Sequence, residues 1–169
     1  MIQERLQREF DIGLVISAPS VKYKVILKDG KTIDVDNPTY WPNPAEIESV
    51  SEPYIKASIL TPEEHVGPVM ELCREHRSES QTMNYLSASR IELISEMPLG
   101  EVLFDFYGKL KTITRGYGSF DYVPVDYRNT DVVKVDILVN KEPVDTLSYL
   151  VHRDKARFRA VHYLSLIHI

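Results

Sequence analysis

The stretch Glu52–Arg77, EPYIKASILTPEEHVGPVMELCREHR, decides the fold because it joins a strand pattern to a helix pattern. Apolar and other residues alternate from Tyr54 to Leu60, which predicts a strand with one buried face. Thr61 is predicted to cap the following helix, with Pro62 at its first position and Glu64 completing a capping box. The buried stripe of this helix is predicted to be Val66, Val69, Met70 and Cys73.

The next residues repeat this pattern and complete one unit. Two strands are predicted near Gln81–Leu86 and Arg90–Ser95, followed by a helix at Leu99–Thr114 and a last strand at Tyr117–Val125. Arg115-Gly116 is a helix-stop signal. The predicted core face of this second helix is Leu99, Val102, Leu103, Phe106, Leu110 and Ile113. The order β-α-β-β-α-β predicts an α+β, ferredoxin-like domain, with one antiparallel sheet and both helices on one face.

The flanking segments read as parts of further modules. Met1–Phe10 is predicted to be helical, and strands are predicted at Ile12–Ile16 and Val21–Leu27. An upstream partner is inferred, so the apolar face of residues 1–27 is expected to be exposed. After Asp126, alternating residues predict another strand, which turns at Asn140-Lys141 and returns through Val144–Val151.

Composition excludes several classes of protein. The 169 residues carry a net charge of -5, which does not indicate a strongly basic nucleic-acid binder. The single cysteine, Cys73, excludes a disulfide framework and a multi-cysteine metal site. It lies on the apolar stripe of its helix and is interpreted as a small core residue. No apolar run reaches the ~18–20 residues that span a bilayer.

Motifs for catalysis are weak. Gly116 and Gly118 form a G-x-G, but they follow a helix and precede a strand, which is the reverse of a phosphate-binding arrangement. The run from Val151 to Asp154, VHRD, imitates a kinase catalytic loop without its other motifs. The histidines are scattered, and Glu101 and Asp105 are interpreted as part of a solvated helix face. No catalytic, GTP-binding or metal-binding residue is therefore assigned, and no cofactor.

Two basic clusters remain as candidate binding residues. The first crowds the end of the second helix and the second follows the last predicted strand. Neighbouring Tyr117 and Tyr122 could stack on unpaired bases while the cations contact phosphates. A solubilising surface, or local salt bridges at His152 and Arg153, is the alternative. The candidate RNA-contacting residues are Lys109, Lys111, Arg115, Tyr117, His152, Arg153 and Lys155.

Several long stretches resemble the elongation factor 4 (LepA) family of translational GTPases. The stretch Glu52–Arg77 and MPLGEVLFDFYGKLKTITRGYGSFDY (Met97–Tyr122) resemble domain V of that wider group. IQERLQREFDIGLVISAPSVKYKV (Ile2–Val25) resembles the end of domain III, and DVVKVDILVNKEPVDTLSYLVHRDKA (Asp131–Ala156) resembles the start of the family's own C-terminal domain. The resemblance implies a division into 1–28 (domain III), 29–52 (linker), 53–127 (domain V), 128–163 (C-terminal domain) and 164–169 (a tail unlike the family).

The resemblance implies a role on the ribosome. The intact family member is expected to bind the ribosome, through large-subunit RNA and proteins, and to promote backward movement of tRNA with GTP hydrolysis. GTP and Mg²⁺ would be held by N-terminal domains that precede Ile2, so this chain is expected to be inactive alone. Localisation is expected to be cytoplasmic, with peripheral association with the cell membrane. The alternative is a ferredoxin-like domain that binds or senses a small molecule, for which no convergent polar set is evident.

Overall fold

The computed structural model describes residues 8–10, 21–139, 141–143, 148–157 and 160–161. Residues 8–10, at the end of the helix predicted from Met1, are helical. The rest of that helix, the strand predicted at Ile12–Ile16 and the tail from Leu164 lie outside the described residues.

The described residues form one large antiparallel sheet around a long central strand, β3 (Ile47–Pro62). On one side β3 pairs with β6 (Ser119–Asn129), and on the other with β5 (Arg90–Pro98). Strand β5 in turn pairs with β4 (Ser80–Ser87). The spatial order β6-β3-β5-β4 is that of the ferredoxin-like fold, so the predicted β-α-β-β-α-β unit is confirmed.

Both helices of this unit lie on the same face of the sheet, as predicted. Helix α1 (Val66–Glu75) follows β3, and helix α2 (residues 99–113) follows β5. Because β3 and β5 run in opposite directions, the two helices do so as well. Their apolar stripes share one core with the inward side chains of the strands. The buried members are Ile55, Ala57, Ile59, Leu93, Met97, Val69, Leu72, Cys73, Val102, Phe106 and Leu110.

Helix α2 changes its winding along its length. It is α-helical at Leu99–Glu101, π-helical at Val102–Phe106 and α-helical again at Tyr107–Ile113. A π-helical turn contains more than 3.6 residues and shifts the side chains that flank it. Leu103, predicted to be in the core, is 36% exposed, whereas Glu101, predicted on a solvated face, is 4% exposed. Both of these predictions are wrong.

The start of α1 also differs from the prediction. Strand β3 continues through Pro62, since Thr61 and Pro62 still pair with the beginning of β5. A 3₁₀ turn at Glu63–His65 follows, and α1 begins only at Val66. Thr61 is buried, and its hydroxyl donates to the carbonyl of Pro62 (3.4 Å) instead of capping a helix. The extra sheet pairing therefore replaces the predicted cap.

Each helix ends in the same type of turn, and in each turn an arginine occupies the left-handed position that glycine usually takes. Arg77 follows α1 with φ 61°, and Arg115 follows α2 with φ 51°. In each turn the next residue donates its backbone N–H to a carbonyl of the last helical turn, at 3.1 and 2.7 Å. This is the Schellman motif, and it confirms the predicted stop at Arg115-Gly116.

A hairpin extends the sheet beyond the ferredoxin-like unit. Strands β1 (Tyr23–Leu27) and β2 (Thr32–Val35) pair with each other, and β1 pairs with the beginning of β3. The boundary predicted between residues 28 and 29 falls in the turn of this hairpin. A second core lies here, formed by Val21, Tyr23, Val25, Val35, Val50, Val132 and Leu150. The apolar residues of 21–27 are thus largely buried, and the predicted exposed face is wrong for this described part.

The last described segment forms two small strand pairs. Strand β7 (Val132–Val135) pairs with β10 (Tyr149–His152), and β8 (Leu138–Val139) pairs with β9 (Glu142–Pro143). The predicted strand and its return are confirmed by the pairing of β7 with β10, whereas Asn140 of the predicted turn and residues 144–147 lie outside the described residues. A third small core of Ile137, Tyr149 and Val151 holds this segment.

Candidate nucleic-acid interface

Six of the seven candidate RNA-contacting residues separate into two groups at opposite ends of the helical layer. Lys111, Arg115 and Tyr117 lie at the carboxyl end of α2, and we call them the α2-end cluster. His152, Arg153 and Lys155 form the β10-end cluster, in which Lys155 Nζ donates to the backbone carbonyl of Glu75 at the carboxyl end of α1. Because α1 and α2 are antiparallel, the structure does not bring the two clusters together.

The α2-end cluster is built on a rigid turn. Lys111 Nζ donates to the carbonyl of Gly118 at 2.7 Å and lies 5.4 Å from the centre of the Tyr107 ring. The Thr114 hydroxyl accepts from the Gly118 N–H at 2.9 Å. A Cβ at Gly118 would lie 2.7 Å from that hydroxyl oxygen, so only glycine fits this turn. Lys111 therefore fastens the turn that leads from α2 into β6.

Two side chains of the α2-end cluster point into solvent. Tyr117 is 72% exposed, and Arg115 is exposed as well. Within the described part of the chain, the Arg115 guanidinium makes no hydrogen bond or ion pair. An unpaired guanidinium beside an exposed aromatic ring can bind a phosphate and stack a base without breaking an internal contact.

Lys109 lies apart from this cluster, in acidic surroundings. Its Nζ is 2.7 Å from Asp105 Oδ2, one helical turn earlier. Together with Glu71 and Glu75 of α1, both residues line a groove between the helices. A phosphate that binds Lys109 would have to compete with the Asp105 carboxylate, so the predicted RNA contact of Lys109 remains a prediction that this pairing disfavours.

The β10-end cluster is held by local partners. Arg153 forms a two-pronged ion pair with Asp131, with Nε–Oδ2 at 2.6 Å and Nη2–Oδ1 at 3.2 Å. Hydrogen bonds from Arg153 hold the pKa of the Asp131 carboxyl below its ordinary value. His152 Nδ1 accepts from the backbone N–H of Asp154 at 3.3 Å. The local salt bridge considered for Arg153 is thus present, and an exposed pair of this kind contributes little stability and can open.

Sequence reasoning missed a buried charge cluster around Arg77. Its Nη2 lies 2.7 Å from Glu52 Oε1 and 3.3 Å from Thr130 Oγ1, and its Nη1 lies 3.8 Å from Glu101 Oε1. These partners come from β3, α2 and the residue that follows β6. Arg77 therefore joins the end of α1 to the ferredoxin-like sheet and to the start of the last segment. Its left-handed φ and its position in a C-terminal turn gave no local signal of this role.

A second ion-pair cluster surrounds Arg128 on β6. Its guanidinium pairs with Glu79, Glu96 and Asp126 and lies 4.5 Å from the centre of the Tyr54 ring. The Tyr54 ring is itself buried, which raises the pKa of its hydroxyl. Arg128 on β6 thus reaches across β3 to Glu96 on β5, and it stabilises the sheet.

The described residues offer little for catalysis. They contain no group of three or more His, Cys, Asp or Glu side chains that could hold a metal ion, and no helix long and apolar enough to cross a membrane. Cys73 is fully buried, and burial raises the pKa of its thiol to about 12, which suits a core residue and not a nucleophile. Gly116 has φ 87° in the helix-ending turn, as expected for a cap.

Comparison with known proteins places the chain in a family. The family described as "Elongation factor G C-terminus" matches residues 49–156. "Elongation factor 4 2" of Rhodopirellula baltica is 83% identical over 163 residues, which cover 96% of this chain and 27% of that protein. "Elongation factor 4" of Desulfotalea psychrophila is 56% identical over 167 residues, covering 99% and 28%. The chain spans about a quarter of the length of these curated relatives. It belongs to the elongation factor G C-terminus family, and its similarity to proteins named elongation factor 4 extends over nearly its whole length.

Proposed function

We propose that this chain is the ribosome-docking part of a translation factor of the elongation factor 4 type. The observation that carries the proposal is the similarity to proteins of that name over 96–99% of the chain. The buried charge cluster at Arg77 and the partly exposed ion-pair cluster at Arg128 support a rigid module that presents a fixed surface. The proposed task of this module is to position the factor on the ribosome, and no nucleotide chemistry is assigned to it.

The α2-end cluster is the proposed RNA contact. Arg115 would bind a backbone phosphate of large-subunit RNA, and Tyr117 would stack on an unpaired base. Lys111 would act mainly by holding the turn, since its ammonium is already bonded to backbone carbonyls. Tyr122, 43% exposed and 5.8 Å from the Phe120 ring, extends the aromatic surface along β6.

The β10-end cluster is the proposed second contact, toward tRNA. Arg153 would exchange Asp131 for a phosphate, a swap favoured by the stronger charge of the phosphate. Lys155 would stay bonded to the end of α1 and anchor the segment.

The activity of the whole factor is proposed from the family resemblance. Domains that precede this chain would bind GTP and Mg²⁺, and hydrolysis would accompany backward movement of tRNA on the ribosome. The same resemblance suggests a cytoplasmic protein that can also associate with the membrane periphery.

Sedimentation with purified ribosomes at two salt concentrations tests the docking proposal. For the two proposed phosphate contacts, of Arg115 and Arg153, affinity should fall roughly 7- to 12-fold between about 50 and 200 mM salt, because released counterions oppose binding. Arg115→Glu should weaken binding and flatten this salt dependence. Lys31→Glu makes the same change of charge in the distant β1–β2 turn and should bind like the unmodified chain. Binding that is absent, independent of salt, or equally weakened by both variants would refute the proposal.

A further inference from the structure

The last helical turn of α1 leaves one backbone carbonyl for a partner from a distant part of the chain. Glu75 is the last residue of α1, and the amide four residues later, that of Glu79, donates to the carbonyl of Glu96 instead. Among the described residues, the Glu75 carbonyl accepts a hydrogen bond from Nζ of Lys155, which lies 80 residues later. The carboxyl end of a helix carries partial negative charge and unpaired carbonyls, so a lysine ammonium caps it favourably.

Arg77, two residues beyond Glu75, contacts the other end of the same distant segment. Its Nη2 lies 3.3 Å from the hydroxyl oxygen of Thr130, the first residue after β6. Thr130 in turn donates its backbone N–H to the carbonyl of Val50 at 2.9 Å. The end of α1 therefore meets the last described segment both where that segment leaves the sheet and where it returns, at Lys155.

Thr130 and Lys155 belong to one small hydrogen-bonded unit. The backbone N–H of Arg153 donates to the carbonyl of Asp131 at 2.9 Å, and Lys155 follows in a short helix formed by residues 153–157. This backbone bond is separate from the ion pair between the Arg153 and Asp131 side chains. The unit therefore stays intact when the guanidinium exchanges its carboxylate for a phosphate.

Apolar packing attaches the same segment to the sheet with little directional preference. Val132 of β7 and Leu150 of β10 lie in the second core, which they share with Val25 and Val50. The hydrophobic effect is non-directional, whereas a hydrogen bond weakens steeply as its angle departs from linearity. The polar contacts with the end of α1 are therefore the ones that can select a single orientation of the segment.

We propose that Lys155 and Thr130 are positioning residues, which together fix the direction of the last described segment relative to the α2-end cluster. Lys155 acts through the Glu75 carbonyl and binds no phosphate itself. The consequence for RNA rests on the proposed function, in which Arg115 and Arg153 contact phosphates and are then held at one separation. Two contacts at a fixed separation bind one large partner more tightly than two contacts on a flexible joint, because the second contact forms at a higher effective concentration.

Residual dipolar couplings of backbone amides, measured by NMR on the full chain without a partner, test the orientation. Lys155→Met removes the ammonium and keeps the length of the side chain, while Thr130→Val removes the hydroxyl and keeps its shape. Lys134→Met is the matched control, because the Lys134 ammonium pairs with Asp136 inside the same segment at 3.0 Å. Lys155→Arg keeps a cationic donor near the end of α1.

The proposal predicts that one alignment tensor fits β3, β5, β7 and β10 together in the unmodified chain and in Lys134→Met. In Lys155→Met, and more clearly when Thr130→Val is added, β7 and β10 should require a separate tensor of reduced magnitude. Lys155→Arg should restore the single tensor. The couplings within β3 and β5 should stay the same in every variant, which separates a lost orientation from a lost fold.

Sedimentation with purified ribosomes then distinguishes positioning from a direct phosphate contact. Lys155→Met should weaken binding about three- to tenfold at each salt concentration and leave the salt dependence unchanged, since loss of a phosphate contact would flatten it. Thr130→Val should weaken binding in the same direction without any change of charge. Arg153→Glu removes the contact that is being positioned, so adding Lys155→Met to it should have no further effect.

The couplings and the ribosome experiment can each overturn the proposal. One tensor in every variant, or two tensors in the unmodified chain, would exclude the positioning role. A salt dependence that Lys155→Met flattens would make Lys155 a phosphate contact, and unchanged ribosome binding despite a reoriented segment would break the link to RNA. If the unmodified chain did not bind ribosomes, the proposed function would fail, while the couplings would still decide the positioning role.

Discussion

Replacing Arg77 with alanine should destabilise the fold by about 3–5 kcal/mol, the usual cost of breaking a buried ion pair from one side. Glu52 is only 3% exposed, and its carboxylate loses the guanidinium that lies 2.7 Å away. The contacts of Arg77 with Glu101 and Thr130 are lost at the same time. At about 2–4 °C per kcal/mol for a chain of this size, the melting temperature should fall by about 6–20 °C.

Urea unfolding monitored by circular dichroism measures this loss of unfolding free energy, provided that the slope of that free energy against urea concentration is the same in both proteins. Arg115→Ala is the control, because Arg115 has the same left-handed backbone but is exposed and makes no ion pair within the described residues. It should change the free energy of unfolding by no more than about 0.5 kcal/mol. Adding Glu52→Gln to Arg77→Ala should recover part of the loss, since the buried charge is then gone. A loss below about 1 kcal/mol for Arg77→Ala, or no recovery with Glu52→Gln, would refute the reasoning.

Two further perturbations test the local structure. Gly118→Ala should cost about 1–3 kcal/mol, because its Cβ would lie 2.7 Å from Thr114 Oγ1 and would disrupt the hydrogen bond there; thermal melting checks this, and an unchanged melting temperature would contradict it. Partial burial acts to raise the pKa of Asp105, but hydrogen bonds from Lys109 and His76 outweigh it and hold that pKa below its usual value. The stability it contributes is therefore present above about pH 4 and lost as the pH falls through the lower folded value, so Asp105→Asn should make stability fall less steeply below about pH 4 in urea titrations. An identical pH profile for the two proteins would exclude this role.

The repeating strand and helix patterns carried most of the fold prediction. The alternation of Ile55, Ala57 and Ile59 and the helical spacing of Val102, Phe106 and Leu110 depend only on which face each side chain occupies. The wrong prediction of a helix cap at Thr61 arose because a local sequence rule competed there with strand pairing to a distant part of the chain. Hydrogen bonds to β5 extend strand β3 beyond Thr61. A capping motif is a local sequence pattern and carries no information about this pairing with a distant strand.

The candidate interface was less predictable, because charge partners lie far apart in the sequence. Glu101 is buried because Arg77 supplies a positive charge from the end of the other helix, and the π-helical turn beside it changes which residues face inward. In the same way, Arg153 finds Asp131 on the neighbouring strand end. Sequence patterns locate basic clusters, but only the fold tells which cations are already paired.

Crosslinking from Tyr117 tests the docking account most directly. A photoreactive phenylalanine analogue would replace Tyr117, and in a second protein Tyr40, whose exposure is nearly equal at 71% against 72%. Each protein would be irradiated with purified ribosomes, and the crosslinked RNA mapped by primer extension. The account predicts crosslinks to large-subunit RNA from position 117 that fade at high salt, and few from position 40. Equal crosslinking from both positions, or none from position 117, would contradict it.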